Sequence, residues 1–193
     1  MNDELIFDLE TQKAFSDLDD RRNTAGLGVS VLGCYSYATG EFRIFLESEL
    51  SQFEELLAGA RRVIGYNIRH FDYQVLQPYM RSLNLSNLPT LDLILEPATH
   101  LNFRPKLDDL AKATLGMSKS GHGLEAIRWF REGNLGRLKE YCLDDVKLTK
   151  GLYEYGRDKG EILIESRYGG GLRKVAVNWQ KPQPMAVSQS SLF

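Results

Sequence analysis

The stretch that decides the fold is Leu5-Ile6-Phe7-Asp8-Leu9-Glu10-Thr11, an apolar, β-prone run interrupted by two carboxylates. This composition predicts a strand, in which residues two apart point to the same face of the sheet. Asp8 and Glu10 therefore share one face, while Phe7 and Leu9 share the other. Two like charges at that spacing need a cation between them or a shared proton. Taken by itself, the pair is equally compatible with an edge strand that has one hydrated face.

The segments that follow predict an α/β domain built on one mixed sheet. Residues 27–37 and 42–46 are strand-like and are joined by a turn, so the first three strands should form an antiparallel meander. Helical and strand-like segments then alternate, which adds parallel strands and flanking helices. The further predicted elements are a helix from Ser48 or from a Ser51–Glu54 capping box, a strand over 62–67, a helix over 70–83 that Pro78 should shorten, a strand over 91–95, helices over 107–115, 124–130 and 134–157, and a terminal hairpin of strands 162–168 and 172–179.

The long helix predicted over 134–157 has an acid in the middle of its inward-facing stripe. Helical periodicity selects Asp145, and not the adjacent Asp144, as the buried carboxylate, where an unpaired charge would be costly. Tyr141 lies one turn earlier on the same side. The stripe consists of Leu138, Tyr141, Asp145, Leu148 and Leu152, and the opposite, solvated face carries Glu140, Asp144 and Lys147.

Asp72 is the fourth acid placed on a buried stripe, although an acid in a first helical turn also suits the helix dipole. No buried basic partner for the four acids is evident in the sequence, and this favours a divalent-cation site. Oxygen ligands suit Mg²⁺ or Mn²⁺ rather than zinc. Two such ions about 3.5–4 Å apart are a common arrangement for phosphodiester chemistry. Asp92 is interpreted as a cap rather than as a further metal-binding acid.

Three segments, in this order and spacing, resemble the motifs of the DEDD exonucleases of the tyrosine branch, which have a ribonuclease H-like fold. Residues 7–11 resemble the D-x-E motif on the first strand, residues 67–72 the N-x3-[FY]-D motif, and residues 141–145 the Y-x3-D motif. The resemblance covers roughly residues 4–155 and is greatest to relatives of the proofreading domains of family B polymerases. The sister branch has a histidine five residues before the last aspartate, where this chain has Glu140; His122 is too early and is interpreted as a surface residue.

The resemblance implies 3′→5′ removal of nucleotides from nucleic acid, with release of 5′-monophosphates. It implies that Asp8 bridges two metal ions, that Glu10 and Asp145 hold the ion that carries the attacking water, and that Asp72 supports the second ion. Tyr141 would orient the nucleophilic water.

Three further positions match residues of the family that contact the terminal nucleotide: Thr11, Asn67 and Phe71. Phe71 would act by stacking. The alternatives are that Thr11 only ends a strand and that Phe71 only belongs to the core.

Residues 189–193, Gln189-Ser190-Ser191-Leu192-Phe193, resemble the Q-x-x-L-F pentapeptide by which many bacterial DNA-processing proteins bind the sliding clamp. The resemblance implies that Leu192 and Phe193 fill an apolar pocket of the clamp while Gln189 hydrogen-bonds at its rim. The substrate would then be DNA, in replication or repair. An ordinary disordered tail is the alternative.

Length and composition set the remaining expectations. The 193 residues allow one domain, which we expect over residues 1–179, followed by a flexible tail over 180–193. The net charge of −2 excludes a polybasic protein that binds nucleic acid by bulk charge. Two distant cysteines, an acidic start and the lack of a long apolar run favour a soluble cytoplasmic protein, assumed to be a monomer.

Three other functional interpretations remain open at this point. The fold and the acids are compatible with an RNase H-type endonuclease or an RNA-directed exonuclease, and the fold alone with a non-catalytic nucleic-acid-binding module. Basic residues are scattered along the chain, Lys119 among them, and are interpreted as mainly solubilising. The basic pair Arg173–Lys174 is expected to stabilise the terminal hairpin rather than to bind substrate.

Overall fold

A five-stranded mixed sheet is the centre of the protein in the computed structural model, which describes residues 3–119, 121, 123–166 and 169–180. The strand order is β3-β2-β1-β4-β5. Strand β2 pairs antiparallel with β1 and with β3, whereas β4 pairs parallel with β1 and with β5. The meander and the added parallel strands are therefore confirmed. The strands are β1 (Asp3–Thr11), β2 (Val29–Ser36), β3 (Glu41–Leu46), β4 (Ala60–Gly65) and β5 (Thr90–Asp92).

Six α-helices flank the sheet in the described residues, and a separate two-stranded ribbon follows the last of them. None of these helices is both long and apolar enough to cross a bilayer. His122, the end of the predicted strand over 162–168 (residues 167–168) and residues 189–193 lie outside the described residues, so the expectations about them stay predictions. The helices are α1 (Leu50–Ala58), α2 (Asp72–Leu76), α3 (Leu95–Leu101), α4 (Leu107–Leu115), α5 (Gly123–Arg131) and α6 (Leu135–Lys159), and the ribbon strands are β6 (Glu161–Glu165) and β7 (Leu172–Ala176).

The alternation of side chains along β1 separates two layers of core. Phe7 and Leu9 belong to the cluster that packs against α1 and α2, where Phe53 is fully buried. Ile6 belongs to the cluster on the other side of the sheet, with α4 and α6. The face that carries Ile6 is also the face of Asp8 and Glu10, because side chains alternate along a strand. The two acids are therefore directed toward α6.

Several predicted elements are shorter in the structure, among them the two ribbon strands, which end at Glu165 and Ala176. The helix predicted over 70–83 is the five-residue α2, and a 3-10 turn that contains Pro78 follows it, which agrees with the expected effect of the proline. The strand predicted over 91–95 is wrong beyond Asp92. The Asp92 carboxylate accepts the backbone N–H of Ile94 at 3.3 Å and so stabilises a turn there, and α3 begins at Leu95.

The Ser51–Glu54 capping box is also wrong. Helix α1 begins at Leu50, and the Glu54 side chain points across to another segment. Its oxygens accept the backbone N–H groups of Arg81, Ser82 and Leu83 at 2.7–3.1 Å. These hydrogen bonds favour the charged form and lower the pKa of Glu54 to about 2. Spacing along one helix cannot show that a glutamate caps a distant loop.

The terminal ribbon is part of the folded core, as the fold-stabilising interpretation predicted. Trp179 is fully buried against Gly156, where an added Cβ would lie 2.3 Å from the Trp179 ring. The buried Arg62 donates to the carbonyls of Trp179 and Gln180 at 3.2 Å each. The Lys174 ammonium lies 2.7 Å from a Glu161 oxygen across the ribbon. The chain is therefore anchored as far as residue 180.

Candidate metal centre and adjoining cleft

Three of the predicted site residues form one carboxylate cluster. Asp8 and Glu10 reach it from β1 and Asp145 from α6, and one oxygen of each lies within 4.8 Å of the others. Asp145 is 1% exposed and Glu10 8%, while Asp8 is half-buried. Two distant parts of the chain thus bring three acids within the span of a single cation's ligands, and we call this group the carboxylate cluster.

A glycine permits the close approach of α6 that forms the cluster. Gly33 on β2 is the partner of Asp8 across the sheet. A Cβ at Gly33 would lie 3.1 Å from Val146 Cγ2 and 3.2 Å from Cys142 Sγ. The Cys142 thiol in turn lies 3.6 Å from the Asp8 carbonyl oxygen, to which it donates. Helix α6 therefore packs directly on strands β1 and β2 next to Asp145, the residue before Val146.

Asp72 lies beside the cluster rather than within it. Its side chain is 4% exposed at the start of α2. Burial raises its pKa well above the usual range, and the negative charge of Asp8 raises it further. The N–H of Leu9 partly offsets this effect. Asp72 is thus a neighbour of Asp8 that comes from α2.

The electrostatics of the cluster favour a bound cation. Burial, followed by the charge of Asp145, raises the pKa of Asp8 to about 7. The pKa of Glu10 is raised well above its usual range, first by burial and then by Asp8. Asp145 Oδ1 is buried and has no hydrogen-bond partner among the described residues. Anionic oxygens that are desolvated, mutually repulsive and incompletely paired are the donor set that hard divalent cations bind.

Lys119 contacts the carboxylate cluster, a contact that the sequence interpretation missed. Its ammonium lies 2.5 Å from Asp145 Oδ2, so the expectation that the acids lack a basic partner was wrong for Asp145. The Lys119 backbone N–H donates to Asp108 Oδ1 at 2.7 Å, which fixes the loop after α4. Periodicity could not have found this lysine, because it lies in a Gly/Ser-rich loop whose residues have no predictable facing.

Tyr141 completes the α6 side of the site. It is 3% exposed, and its ring packs edge-on against Trp129 with centroids 5.7 Å apart. Its hydroxyl lies beside the Asp145 carboxylate. Burial and the neighbouring carboxylates raise the pKa of Tyr141 above its ordinary value. The raised pKa favours the protonated hydroxyl in the metal-free protein, where it can donate a hydrogen bond.

The predicted phase of α6 is confirmed around this site. Asp144 points away from the cluster, with a side chain 39% exposed, and pairs with Lys147 at 2.9 Å. Glu140, at the position where the sister branch has histidine, is exposed. Of the two adjacent aspartates, Asp145 thus belongs to the buried cluster, and Asp144 forms an ion pair at the surface.

A cleft of about 570 Å³ opens beside the cluster at Glu10. Leu9, Leu27 and Ile127 contribute to its apolar lining. Phe71 also lines it, and so do two exposed apolar residues, Phe15 at 42% and Leu124 at 74% exposure. Both were missed in the sequence, where the loop that carries Phe15 was interpreted as a plain solvated loop.

The three expected substrate-binding positions differ in their placement. Phe71 and Thr11 line the cleft. The Thr11 hydroxyl donates to the Lys13 carbonyl at 2.9 Å, so it also stabilises the turn after β1. Asn67 is not among the residues that line the cleft. Its side chain contacts Arg104, and its backbone N–H donates to Asp92 Oδ1 at 2.8 Å. Asp92 acts as a cap for this loop, as interpreted.

We expect the metal-free protein to lose stability as the pH rises from 5 toward 7. The pKa of Asp8 is raised from 3.8 to about 7, so in this range the folded state binds more protons than the unfolded state. Thermal unfolding in EDTA should show a melting temperature that falls between pH 5 and pH 8, and saturating Mn²⁺ should reverse the fall. Glu54, whose pKa is lowered, affects stability only below its ordinary pKa and thus outside this window.

The matched pair for this measurement is Asp8→Asn and Asp144→Asn. Asp8→Asn should raise the metal-free melting temperature at pH 8 by about 3–6 °C, since one kcal/mol corresponds to about 2–4 °C in a chain of this size. Asp144→Asn should keep the wild-type pH dependence, because Asp144 is outside the cluster. A pH dependence that survives Asp8→Asn unchanged would contradict the electrostatic account.

Comparisons with known proteins agree with this architecture. The model of the RNase_H superfamily matches residues 5–156. The fold is similar to that of a family B DNA polymerase from the hyperthermophilic archaeon Pyrobaculum calidifontis, with a TM-score of 0.59, 19% identity and 80% of this chain covered. It is also similar to the zinc-bound form of the E. coli ExoI–ssDNA complex, with a TM-score of 0.52, 13% identity and 82% covered.

Both solved structures are much longer proteins, since the match spans 24% of the polymerase and 41% of ExoI. At these identities the likeness shows the fold. No curated protein matches the sequence significantly. The superfamily match covers the sheet, the carboxylate cluster and nearly all of α6, and on that basis the chain belongs to the RNase H superfamily.

Proposed function

We propose that the protein is a metal-dependent 3′→5′ exonuclease that removes nucleotides from DNA ends and releases 5′-monophosphates. The observation that carries the proposal is the carboxylate cluster with the Tyr141 hydroxyl beside it and a nucleotide-sized cleft opening at Glu10. The two similar folds belong to a DNA polymerase and to a protein in complex with single-stranded DNA, which supports a nucleic-acid substrate.

Different residues of the site would have different roles in the proposed reaction. Asp8, Glu10 and Asp145, with Asp72 beside them, would hold Mg²⁺ or Mn²⁺, which supplies a Lewis acid that activates water and stabilises the leaving oxygen. Tyr141, whose hydroxyl lies beside Asp145, would donate a hydrogen bond to the attacking water and so orient it. Lys119 places a positive charge at the same carboxylate, where the anionic phosphate must approach.

The cleft supports the proposed action at chain ends. Its volume of about 570 Å³ suits one nucleoside. Phe71 and the exposed Phe15 and Leu124 offer apolar surfaces on which a base can stack without regard to its identity. A terminal nucleotide held there would place its 5′-phosphate near Glu10. This arrangement favours removal of single nucleotides over cleavage inside a duplex.

The direct test is digestion of end-labelled single-stranded DNA, duplex DNA and RNA in Mn²⁺ or Mg²⁺. We expect a ladder that shortens from the 3′ end of DNA, with 5′-monophosphates as products, and no digestion of a circular single strand. Cleavage of the circle would show the RNase H-type endonuclease. Preference for RNA would overturn the choice of DNA, and DNA binding without cleavage in either metal would show a non-catalytic binding module.

The cleft itself can be tested with Leu124→Ala and Phe15→Ala. Each should raise KM for single-stranded DNA by about tenfold. Loss of a base–aromatic contact at Phe15 costs about 1–3 kcal/mol, and loss of the apolar area that a base buries on Leu124 costs about 1–2 kcal/mol. Leu172→Ala is the matched control, because Leu172 is exposed at 56% on the terminal ribbon and does not line the cleft. An equal rise in KM for Leu172→Ala would mean that general surface hydrophobicity, rather than the cleft, binds the strand.

We also propose that residues 189–193 tether the protein to a sliding clamp. The pentapeptide begins nine residues beyond Gln180, whose carbonyl Arg62 holds. Nine residues span at most about 30 Å when extended. Tethering raises the local concentration of the nuclease at DNA without requiring strong non-specific binding, which a net charge of −2 does not provide.

Deletion of residues 189–193 separates the clamp proposal from the nuclease proposal. Titration calorimetry with the sliding clamp should show binding by the intact protein and none by the deletion variant. Clamp-stimulated digestion should be lost, while basal digestion stays within about twofold of the intact protein. Equal clamp binding by both proteins, or binding by neither, would contradict the tether.

A further inference from the structure

The backbone of Asn67 is fixed at the turn that leads to Phe71 and Asp72. Asn67 has a φ of +61°, in the left-handed region that asparagine tolerates better than most residues. Its carbonyl accepts the N–H of Phe71 at 3.1 Å, and its own N–H donates to Asp92 at 2.8 Å. The side chain is therefore projected from a rigid position directly connected to the cleft residue Phe71.

The Asn67 amide has a defined orientation, because its side-chain oxygen accepts a hydrogen bond from Arg104 Nη2. A guanidinium can only donate, so the amide atom that faces Arg104 must be the oxygen. No described residue accepts a hydrogen bond from the Asn67 amide nitrogen. The hydrogen-bonding capacity that remains on Asn67 thus consists mainly of two N–H donors.

The loop that carries Arg104 is joined to the loop of Asn67 by a second contact. The hydroxyl of Tyr66, the residue before Asn67, donates to the carbonyl of Pro105 at 2.7 Å, so the two loops are joined on both sides of the contact. Arg104 is exposed, and no carboxylate of the described residues forms a salt bridge with it. Asn67 is its hydrogen-bond partner in the part of the chain that the structure describes.

We propose that Arg104 is a positioning residue that makes Asn67 a hydrogen-bond donor toward the nucleic-acid strand. Strand acceptors that suit such a donor are phosphate oxygens and the oxygen and ring-nitrogen acceptors of the bases. Without Arg104, the amide can rotate and present its oxygen, which repels these acceptors. The contact strengthens binding of the strand, and it takes no part in bond cleavage. This inference rests on the proposed nuclease function.

A double-mutant cycle tests it in the full chain with a single-stranded DNA substrate. Arg104→Ala and Asn67→Ala should each raise KM about fivefold, the usual effect of losing one hydrogen bond, with kcat within about twofold of wild type. The double variant should match Asn67→Ala alone, because Arg104 acts through Asn67. Arg104→Lys should recover part of the loss, since lysine can also donate to the amide oxygen.

The outcomes separate this inference from the proposed function. Additive effects on KM would mean that Arg104 contacts the strand by itself, and a fall in kcat would mean a catalytic role; either result overturns the inference. If wild type cleaves no nucleic acid, the proposed function fails, and the same cycle measured by fluorescence anisotropy of a labelled single strand decides the inference separately. If Arg104→Ala unfolds, the cycle is repeated with Arg104→Lys. The double variant of Arg104→Lys and Asn67→Ala should then again match Asn67→Ala alone.

Discussion

Asp145→Asn is expected to lower the rate of DNA hydrolysis by at least about 1,000-fold, which corresponds to about 4 kcal/mol of lost transition-state stabilisation. The substitution keeps the shape of the side chain and removes its charge. Asp145 is almost fully buried between β1 and α6, and its oxygens face Asp8, Glu10 and Lys119. No other acid of α6 can take its place, because Asp144 points to solvent.

Asp144→Asn is the control for this prediction, since it makes the same chemical change one residue away on the same helix. Its side chain forms a surface ion pair with Lys147, and such pairs contribute at most about 1 kcal/mol. Its activity should therefore stay within about threefold of wild type. An inactive Asp144→Asn beside an active Asp145→Asn would overturn the assignment of the buried face of α6.

A metal-binding measurement distinguishes the loss of the site from the loss of the fold. Asp145→Asn should bind Mn²⁺ more weakly by titration calorimetry, while its metal-free melting temperature stays within a few degrees of wild type. The reason is that the variant loses its attraction to Lys119 but also its repulsion of Asp8 and Glu10. Unchanged Mn²⁺ binding together with full activity would mean that the cluster is not the catalytic centre.

The parts of the site on regular elements could be predicted from the sequence for a geometric reason. A strand repeats every two residues and a helix every 3.6, so the faces of Asp8, Glu10 and Asp145 follow from their neighbours. The structure brings these three together, and it places Asp72 on the inner side of α2. The apolar stripes of β1 and α6 are what carry the acids into the interior.

The parts on loops could not be predicted in this way. Lys119 and Phe15 lie in a loop and a short 3-10 turn, where no period relates a residue to the direction of its side chain. Leu124 is in the first turn of α5, where few neighbours on the helix define a buried face. Lys119 has its position because Asp108 holds its backbone N–H. The Arg104–Asn67 contact depends likewise on how two loops meet. Such contacts are long-range in sequence, and only the folded arrangement shows them.

Tyr141→Phe is expected to lower kcat by about 30- to 100-fold and to leave KM for DNA nearly unchanged, the usual effect of losing a positioned proton-bearing group. The Tyr141 hydroxyl lies beside Asp145, and its raised pKa keeps it protonated through the neutral and mildly alkaline range. The hydroxyl is therefore expected to contribute a hydrogen bond and to add no ionisation of its own to the pH–rate profile. The pH–rate profile of Tyr141→Phe should have the shape of the wild-type profile, lowered by a constant factor.

Tyr153→Phe is the matched control for that variant. Tyr153 is also a buried tyrosine of α6, about three turns after Tyr141, but its hydroxyl lies near Glu4 and Arg62, away from the carboxylate cluster. Loss of this hydroxyl should leave kcat and KM close to wild type. If Tyr141→Phe is as active as Tyr153→Phe, the tyrosine beside Asp145 is only a core residue. If Tyr141→Phe instead changes the shape of the pH–rate profile, the hydroxyl titrates during the reaction and its assignment as a protonated donor is wrong.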